Sequence, residues 1–192
     1  MTLITAEVKI IFGGDFLKFK TVTVNRYFII KVIIILLFAV YTLIVVDFTL
    51  VNGNFGRNVS NIFTASNYEI SEYFSQRINL VPFATVRLFV NAYKQGILKP
   101  RAVLENIFGN FFIFMPFAFF LQNIFKKINS ALKFAAVISL CVITVEILQI
   151  VLLTGSADID DFILNTGGAM AAYGVLCIGK IKNFLNKLIY GE

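Results

Sequence analysis

The fold is decided by residues 144–168, which read TVEILQIVLLTGSADIDDFILNTGG. This stretch places acids and amides inside and between two segments that are otherwise apolar enough to cross a membrane. Glu146 and Gln149 are three residues apart, so on a helix they share one face. The same spacing of three or four residues recurs on the next helix, at Asp158, Asp161 and Asn165. An ionisable group at membrane depth costs about 3 kcal/mol or more unless it is paired or in contact with water. Such groups usually have a function, so these positions are functional candidates.

The composition predicts an all-α integral membrane protein. The chain has 192 residues, of which 58% are hydrophobic and only 15% charged, and its mean hydropathy is +0.83. Soluble domains are usually about half apolar and about a quarter charged. Since a membrane span takes roughly 20 residues, the length suits one bundle of about four transmembrane helices.

The distribution of charge, the absence of histidine and the positions of the two cysteines exclude several kinds of protein. The net charge is +6, but the basic residues lie singly or in short groups beside apolar runs, which indicates anchoring at the membrane surface rather than nucleic-acid binding. The absence of histidine excludes Ser-His-Asp and Cys-His catalysis and every His-ligated metal site. Cys141 and Cys177 stand alone inside apolar runs, where a buried and inert thiol is expected. No cofactor is expected.

The N-terminal part of the chain, residues 1–26, is predicted to be a leader before a membrane domain at 27–179. The pair Gly13-Gly14 separates two β-prone runs, which favours a small hairpin at the membrane surface, with a flexible interfacial leader as the alternative. The first span follows at about residues 27–46.

Three further spans are predicted, at about residues 106–125, 134–153 and 161–179. Pro116 is expected to kink the first of these. The segment at 80–93 contains Pro82 and Arg87 and is too short and too polar to cross a membrane, so it is predicted to be interfacial or re-entrant. The basic residues at 180–192 are predicted to form a tail.

The short segments between spans predict the side of the membrane on which each lies. The leader carries four basic residues, the 126–133 loop carries three lysines and the tail carries three more, whereas the 154–161 turn carries three aspartates and no cation. Because basic segments stay inside, both termini and the lysine loop are predicted to be cytoplasmic and the acidic turn external. The 47–105 loop opposes this arrangement, since it is then external and yet contains six basic residues. In this orientation the polar residues converge toward the outer leaflet.

Each polar residue also has a structural interpretation. Glu146 is either a substrate contact or a residue that hydrogen-bonds neighbouring helices, and Asp158 with the acids after it fits a helix N-cap. Capping accounts for one or two of the three aspartates, but not for three followed by Asn165 within the membrane. Glu146, Asp158 and Asp161 carry oxygen ligands that suit a divalent cation, but their spacing matches no metal motif, so no metal is expected.

Four polar blocks occur in order along residues 77–173. They are Arg77-Ile-Asn79-Leu-Val-Pro82-Phe83; Asn106, Gly109, Asn110 and Pro116; Glu146 and Gln149; and Asp158, Asp161, Asn165 and Gly168. With this pattern the chain resembles the VanZ-like family of small bacterial membrane proteins. Ala118 and Ala172 stand where that family often has glycine, and Gly155-Ser156-Ala157 stands where some members carry an arginine.

The resemblance implies a multi-pass protein of the bacterial cytoplasmic membrane that is associated with low-level resistance to teicoplanin-type glycopeptides. It indicates a cellular location and an associated resistance, but it supplies no mechanism. The predicted ligand-binding residues are Arg77, Asn79, Asn106, Asn110, Glu146, Gln149, Asp158, Asp161 and Asn165. The residues predicted to be structural are Pro82, Gly109, Pro116, Gly167 and Gly168.

Two functions fit this pattern. The first is a non-catalytic envelope factor that contacts membrane lipids and binds an amphipathic ligand, such as a lipoglycopeptide tail or a lipid-linked cell-wall precursor. The second is an intramembrane enzyme acting on a lipid-linked phosphate or ester, with Glu146 or Asp161 as general base and Arg77 orienting an oxyanion. Arg77 is also the predicted partner of the acids, because its guanidinium suits carboxylates. Binding is favoured, since no activated nucleophile is visible in the sequence.

Overall fold

The computed structural model describes residues 3–9, 19–51 and 67–190. Two strands come first, β1 (Leu3–Lys9) and β2 (Phe19–Asn25), and they pair antiparallel with Leu3 opposite Asn25. The predicted glycine turn between them lies outside the described residues. The first long helix, α1 (Arg26–Val46), continues into a π-helical turn at Asp47–Val51. Apolar side chains lie on all sides of α1 and most of them face outward, as expected for a helix surrounded by lipid.

A short polar segment follows the first span. It consists of α2 (Asn67–Gln76), β3 (Ile78–Asn79) and α3 (Ala84–Lys94). Helix α3 is amphipathic and has only 11 residues, so it is too short to cross a membrane. Its start is sharply defined, because Phe83 adopts a left-handed conformation with φ 62° directly after Pro82.

The next two spans form the centre of the bundle. Helices α4 (Pro100–Ile113) and α5 (Met115–Ile124) make one broken span, which is interrupted at Phe114 just before Pro116. Helix α6 (Ala131–Val151) begins after Ser130, whose hydroxyl accepts the N–H of Lys133 at 3.4 Å. This N-cap accounts for the sharp start of α6 directly after the lysine loop.

The last part of the chain contains β4 (Ala157–Asp158), α7 (Ile159–Cys177) and α8 (Gly179–Tyr190). Strand β4 pairs in parallel with β3, with Asn79 opposite Asp158, so the segment before α3 is held against the start of α7. Helix α8 turns away from α7 at an angle of 79°.

The core lies where α5, α6 and α7 meet. Phe134, Ile138 and Val142 of α6 are fully buried, and the ring of Phe134 stacks on Tyr173 of α7 with their centroids 4.7 Å apart. Gly168 of α7 lies against the backbone of α4, and a Cβ placed on it would be 1.7 Å from the carbonyl oxygen of Phe111.

The structure confirms the predicted all-α membrane bundle. Three helical segments of the described chain, at 26–51, 100–124 and 131–151, are long and apolar enough to cross a membrane, and α7 with α8 makes a fourth if that bent pair is counted as one. The second span starts at Pro100 rather than near residue 106, because proline at the first helical position favours helix initiation. Most of the predicted tail forms α8.

Candidate functional site

The polar residues meet at one end of the bundle, where α1 and α6 end, α7 begins and the last turn of α4 lies beside them. We call the group formed there the acid–amide cluster: Asn79, Asn110, Glu146, Asp158, Asp160, Asp161 and Asn165. Its members come from β3, α4, α6, β4 and the first two turns of α7. Residues from five elements therefore contribute to one site.

Asp158 connects three of these elements. As the N-cap of α7, its carboxylate accepts the N–H of Asp160 at 2.9 Å, and it also accepts the hydroxyl of Thr85 and the side-chain amide of Asn79, the latter at 3.3 Å. Its own backbone N–H donates to Oε2 of Glu146 at 3.1 Å. Glu146 is 8% exposed, so its carboxylate holds the start of α7 from inside the bundle.

Asp160 is the most deeply buried acid, with 1% of its surface exposed. One of its carboxylate oxygens accepts the backbone N–H of Phe83, and the other accepts that of Val86 at 3.0 Å. Both donors belong to the start of α3, where the first N–H groups of a helix have no partner within the helix. Asp160 therefore caps α3 from another helix.

Asp161 and Asn165 face α4. The side-chain amide of Asn110 donates to Oδ1 of Asp161. Asn165 is 5% exposed, and its Oδ1 has no hydrogen-bond partner within the described part of the chain. The hydroxyl oxygen of Thr166 is likewise buried without a partner there. The first turns of α7 thus contain acids that accept hydrogen bonds and two buried polar atoms that have no hydrogen-bond partner among the described residues.

Gln149 lies at the same end of the bundle but has a different set of contacts. Its side-chain amide donates to the carbonyl oxygen of Thr49 at 3.0 Å, and its backbone carbonyl accepts the N–H of Thr154 at 2.9 Å. Gly155 lies beside it, where a Cβ would be 3.2 Å from the Gln149 side chain. Gln149 therefore joins α6 to the end of the first span.

Arg77 reaches the site through its backbone and through Tyr73. Its carbonyl oxygen accepts the N–H of Ala157 at 2.9 Å, and its guanidinium lies 5.5 Å from the centroid of the Tyr73 ring. The hydroxyl of Tyr73 donates to the carbonyl oxygen of Gly155. Burial raises the pKa of Tyr73, and the Arg77 charge opposes that shift. Asp158 and Asp160 take their hydrogen bonds from amide and hydroxyl donors, not from the Arg77 guanidinium.

The predicted structural residues differ in their surroundings. Gly168 makes the close contact with α4, whereas a Cβ at Gly109 or Gly167 would meet no heavy atom within 4 Å. Pro82 directly precedes the left-handed Phe83, and Pro116 lies in the first turn of α5. Asn106 is half-buried on α4, one turn before Asn110.

Four residues that the structure places here were not predicted from the sequence. They are Thr49, Tyr73, Thr85 and Asp160. Three of them lie in segments with no polar pattern that points to α7, so the sequence contains no signal for their contacts. For a divalent cation, the described residues offer no group of three or more acids, cysteines or histidines arranged as ligands.

These features define a class: a multi-pass helical membrane protein with an acid–amide cluster at one end of its bundle. The chain belongs to the VanZ/LLP1 family, whose model matches residues 38–180. Protein VanZ of Enterococcus faecium is 33% identical over 99 residues, which are 52% of this chain and 52% of that protein. The chain thus aligns with about half the length of this curated relative. No solved structure matches.

Proposed function

We propose that this protein binds an amphipathic, lipid-linked ligand of the cell envelope at the acid–amide cluster and thereby contributes to resistance against teicoplanin-type glycopeptides. The observation that carries the proposal is the buried Oδ1 of Asn165, which lacks a hydrogen-bond partner among the described residues. An unsatisfied buried acceptor costs about 1–3 kcal/mol. A hydroxyl or amide of a ligand would recover that energy by donating to it.

A groove on the same face of α7 offers a place for the apolar part of such a ligand. It lies between α5 and α7, has a volume of about 420 Å³, and is lined only by apolar residues. They include Met115, Pro116, Phe119, Ala171, Ala172 and Val175. Small-molecule sites usually measure about 300–1,000 Å³, so the groove is large enough for a hydrocarbon chain.

The spacing along α7 relates the groove to the cluster. Asp161, Asn165, Gly168 and Ala172 follow one another at intervals of three or four residues, so they lie on one face of the helix. Ala172 is seven residues after Asn165, which is about 10 Å along the helix axis. A ligand with a polar head and a hydrocarbon chain fits this order of polar and apolar contacts.

The proposed setting is the outer leaflet, on the basis of the charge pattern of the loops. A lipid tail concentrates a drug or a precursor at that depth through about 0.8 kcal/mol per buried methylene. A glycopeptide without a tail lacks this contribution. The proposed effect therefore favours protection against tailed drugs over protection against vancomycin.

One contact favours the alternative, an intramembrane enzyme acting on a lipid-linked phosphate or ester. The hydroxyl of Thr85 donates to the carboxylate of Asp158, which is the arrangement of a nucleophile beside a general base. Glu146 and Asp161 are the other candidate bases of this alternative. Binding remains the favoured function, because Asp158 already serves as the N-cap of α7 and also accepts Asn79.

The test is a paired susceptibility assay with teicoplanin and vancomycin at matched membrane expression. Asn165→Leu keeps the branched shape of the side chain but removes the acceptor, and the loss of one hydrogen bond of about 1 kcal/mol weakens binding about fivefold. We expect this variant to raise sensitivity to teicoplanin more than to vancomycin. Gln122→Leu is the matched control, because it removes a half-buried amide near the end of α5, which leads into the lysine loop at the other end of the bundle.

Glu146→Gln separates binding from catalysis in the same assay. This change keeps the shape of the side chain and removes the base, so a binder loses part of its protection and an enzyme loses nearly all of it. Equal shifts for the tailed and the tailless drug would contradict the proposed ligand class. Unchanged protection in Asn165→Leu would contradict the proposed role of that side chain.

A further inference from the structure

Helix α8 lies at the end of the bundle opposite to the acid–amide cluster. Helix α7 has 19 residues and is about 28 Å long, so its length alone nearly matches the roughly 30 Å hydrocarbon core of a bilayer. Because α8 departs from α7 at 79°, its axis runs close to the membrane plane when α7 crosses the membrane.

The side chains of α8 divide into two faces. The apolar face consists of Ile181, Phe184, Leu185, Leu188 and Ile189, at intervals of one, three or four residues. Ile189 is buried with 7% exposure, whereas Phe184 and Leu188 are 65% and 55% exposed. One edge of the apolar face therefore packs on the bundle, and the other edge remains open.

The polar face of α8 is basic. Lys180, Lys182 and Lys187 are exposed, and the helix contains no acid. The lysine loop lies at the same end of the bundle, since Phe134 at the start of α6 stacks on Tyr173 near the end of α7. Its three lysines, Lys126, Lys127 and Lys133, are also exposed. Positive charge thus lies at the same end of the bundle as the open apolar edge.

We propose that α8 binds an anionic phospholipid surface, with Phe184 and Leu188 inserted among the acyl chains and the lysines on lipid phosphates. The basic charge of α8 indicates an anionic lipid as the ligand, because a basic amphipathic helix in the membrane plane attracts anionic head groups. The long lysine stems reach from the edge of the apolar face to the head groups. The surface is separate from the acid–amide cluster, so this proposal does not depend on the proposed function.

The chain contains no tryptophan, so a single introduced tryptophan reports on one position. We would reconstitute the full-length Phe184→Trp variant in phosphatidylcholine vesicles, with or without phosphatidylglycerol, and measure fluorescence quenching by lipids brominated along the acyl chain. We expect quenching that is stronger with phosphatidylglycerol. Asn183→Trp, on the polar face, is the matched control and should be quenched little.

Two further measurements test the role of charge. Replacing Lys180, Lys182 and Lys187 together by glutamine should remove the effect of phosphatidylglycerol on Phe184→Trp, and about 1 M salt should weaken that effect because it shortens the Debye length to about 3 Å. Leu188→Trp is a second reporter if Phe184→Trp fails to fold. The proposal is overturned if Phe184→Trp and Asn183→Trp are quenched equally, or if phosphatidylglycerol does not change the quenching of Phe184→Trp. It is also overturned if a second copy of the chain covers Phe184→Trp and prevents its quenching by lipid.

Discussion

Asp160 and Asp161 are neighbours in sequence, but their side chains leave α7 about 100° apart and meet different elements. Asp160 binds the backbone at the start of α3, and Asp161 accepts the amide of Asn110 on α4. Asp158, one turn earlier, adds Thr85 and Asn79 to the same end of the helix. Three acids in four residues therefore fasten three separate segments to α7.

Removing the Asp160 carboxylate should destabilise the protein. Asp160→Ala leaves the N–H groups of Phe83 and Val86 without their acceptor, and hydrogen bonds to a charged group contribute about 1.5–3 kcal/mol. We expect a lower thermal midpoint for the purified full-length protein in detergent. Asp160→Asn keeps one acceptor oxygen and should lose less. A midpoint equal to that of the wild type would show that Asp160 does not hold α3.

The sequence predicted Asp158, Asp161 and Asn165 as one polar face, because their spacing is a helical repeat. It could not predict the role of Asp160, which lies off that face and whose partners are more than 70 residues earlier in the chain. The spacing also grouped Gln149 with Glu146, yet Glu146 contacts Asp158 and Gln149 contacts Thr49. Helical spacing predicts the side of the helix on which a residue lies, whereas the residue that it contacts depends on which element packs against that side.

At the scale of elements, the approach of α4 and α7 positions the cluster. Gly168 allows the backbone of α7 to reach that of α4 at Phe111, as small residues do at many helix interfaces in membranes. Asn110 is the residue before Phe111, and its amide meets Asp161 two turns before Gly168. The close helix contact and the hydrogen bond therefore depend on the same crossing.

Two adjacent glycines provide a matched test of this crossing. A Cβ on Gly168 would lie 1.7 Å from the Phe111 carbonyl oxygen, so Gly168→Ala must push α4 and α7 apart. Overpacking of this kind costs about 1–3 kcal/mol. Gly167→Ala meets no heavy atom within 4 Å and should be neutral or stabilising by up to about 1 kcal/mol. Thermal midpoints in detergent compare the two, and equal values would contradict the predicted role of Gly168.

The three long apolar helices at 26–51, 100–124 and 131–151 were predictable from apolar length alone, whereas the fourth predicted span is long and apolar enough only if α7 and α8 are counted together. The segment at 80–93 was also correctly judged too short to span, since α3 has 11 residues. What apolar length did not predict was the parallel pairing of β3 with β4, which joins two-residue strands 79 positions apart. The turn into α8 was not predicted either, because a basic amphipathic stretch after the last span is as typical of a tail as of a helix.

At the scale of the whole molecule, the two ends of the bundle differ in charge. The acid–amide cluster lies at one end, and the lysines of the 126–133 loop and of α8 lie at the other. The positive-inside rule predicts that the lysine end is cytoplasmic, and the six basic residues of the 47–105 loop oppose that prediction. The orientation determines which molecules the cluster can meet, because a site at the outer leaflet is open only to ligands present there.

Cysteine labelling on intact cells tests this orientation. In a background with Cys141 and Cys177 replaced by alanine, Ser156→Cys marks the turn beside the cluster and Ser130→Cys marks the lysine loop. A membrane-impermeant maleimide should modify Ser156→Cys directly and Ser130→Cys only after the cells are permeabilised. Ser156 is half-buried, so its labelling in permeabilised cells provides the control for access. The reverse pattern would place the cluster at the cytoplasmic leaflet, where an external glycopeptide does not reach it, and would remove drug contact from the proposed function while leaving the bundle and its contacts as they are.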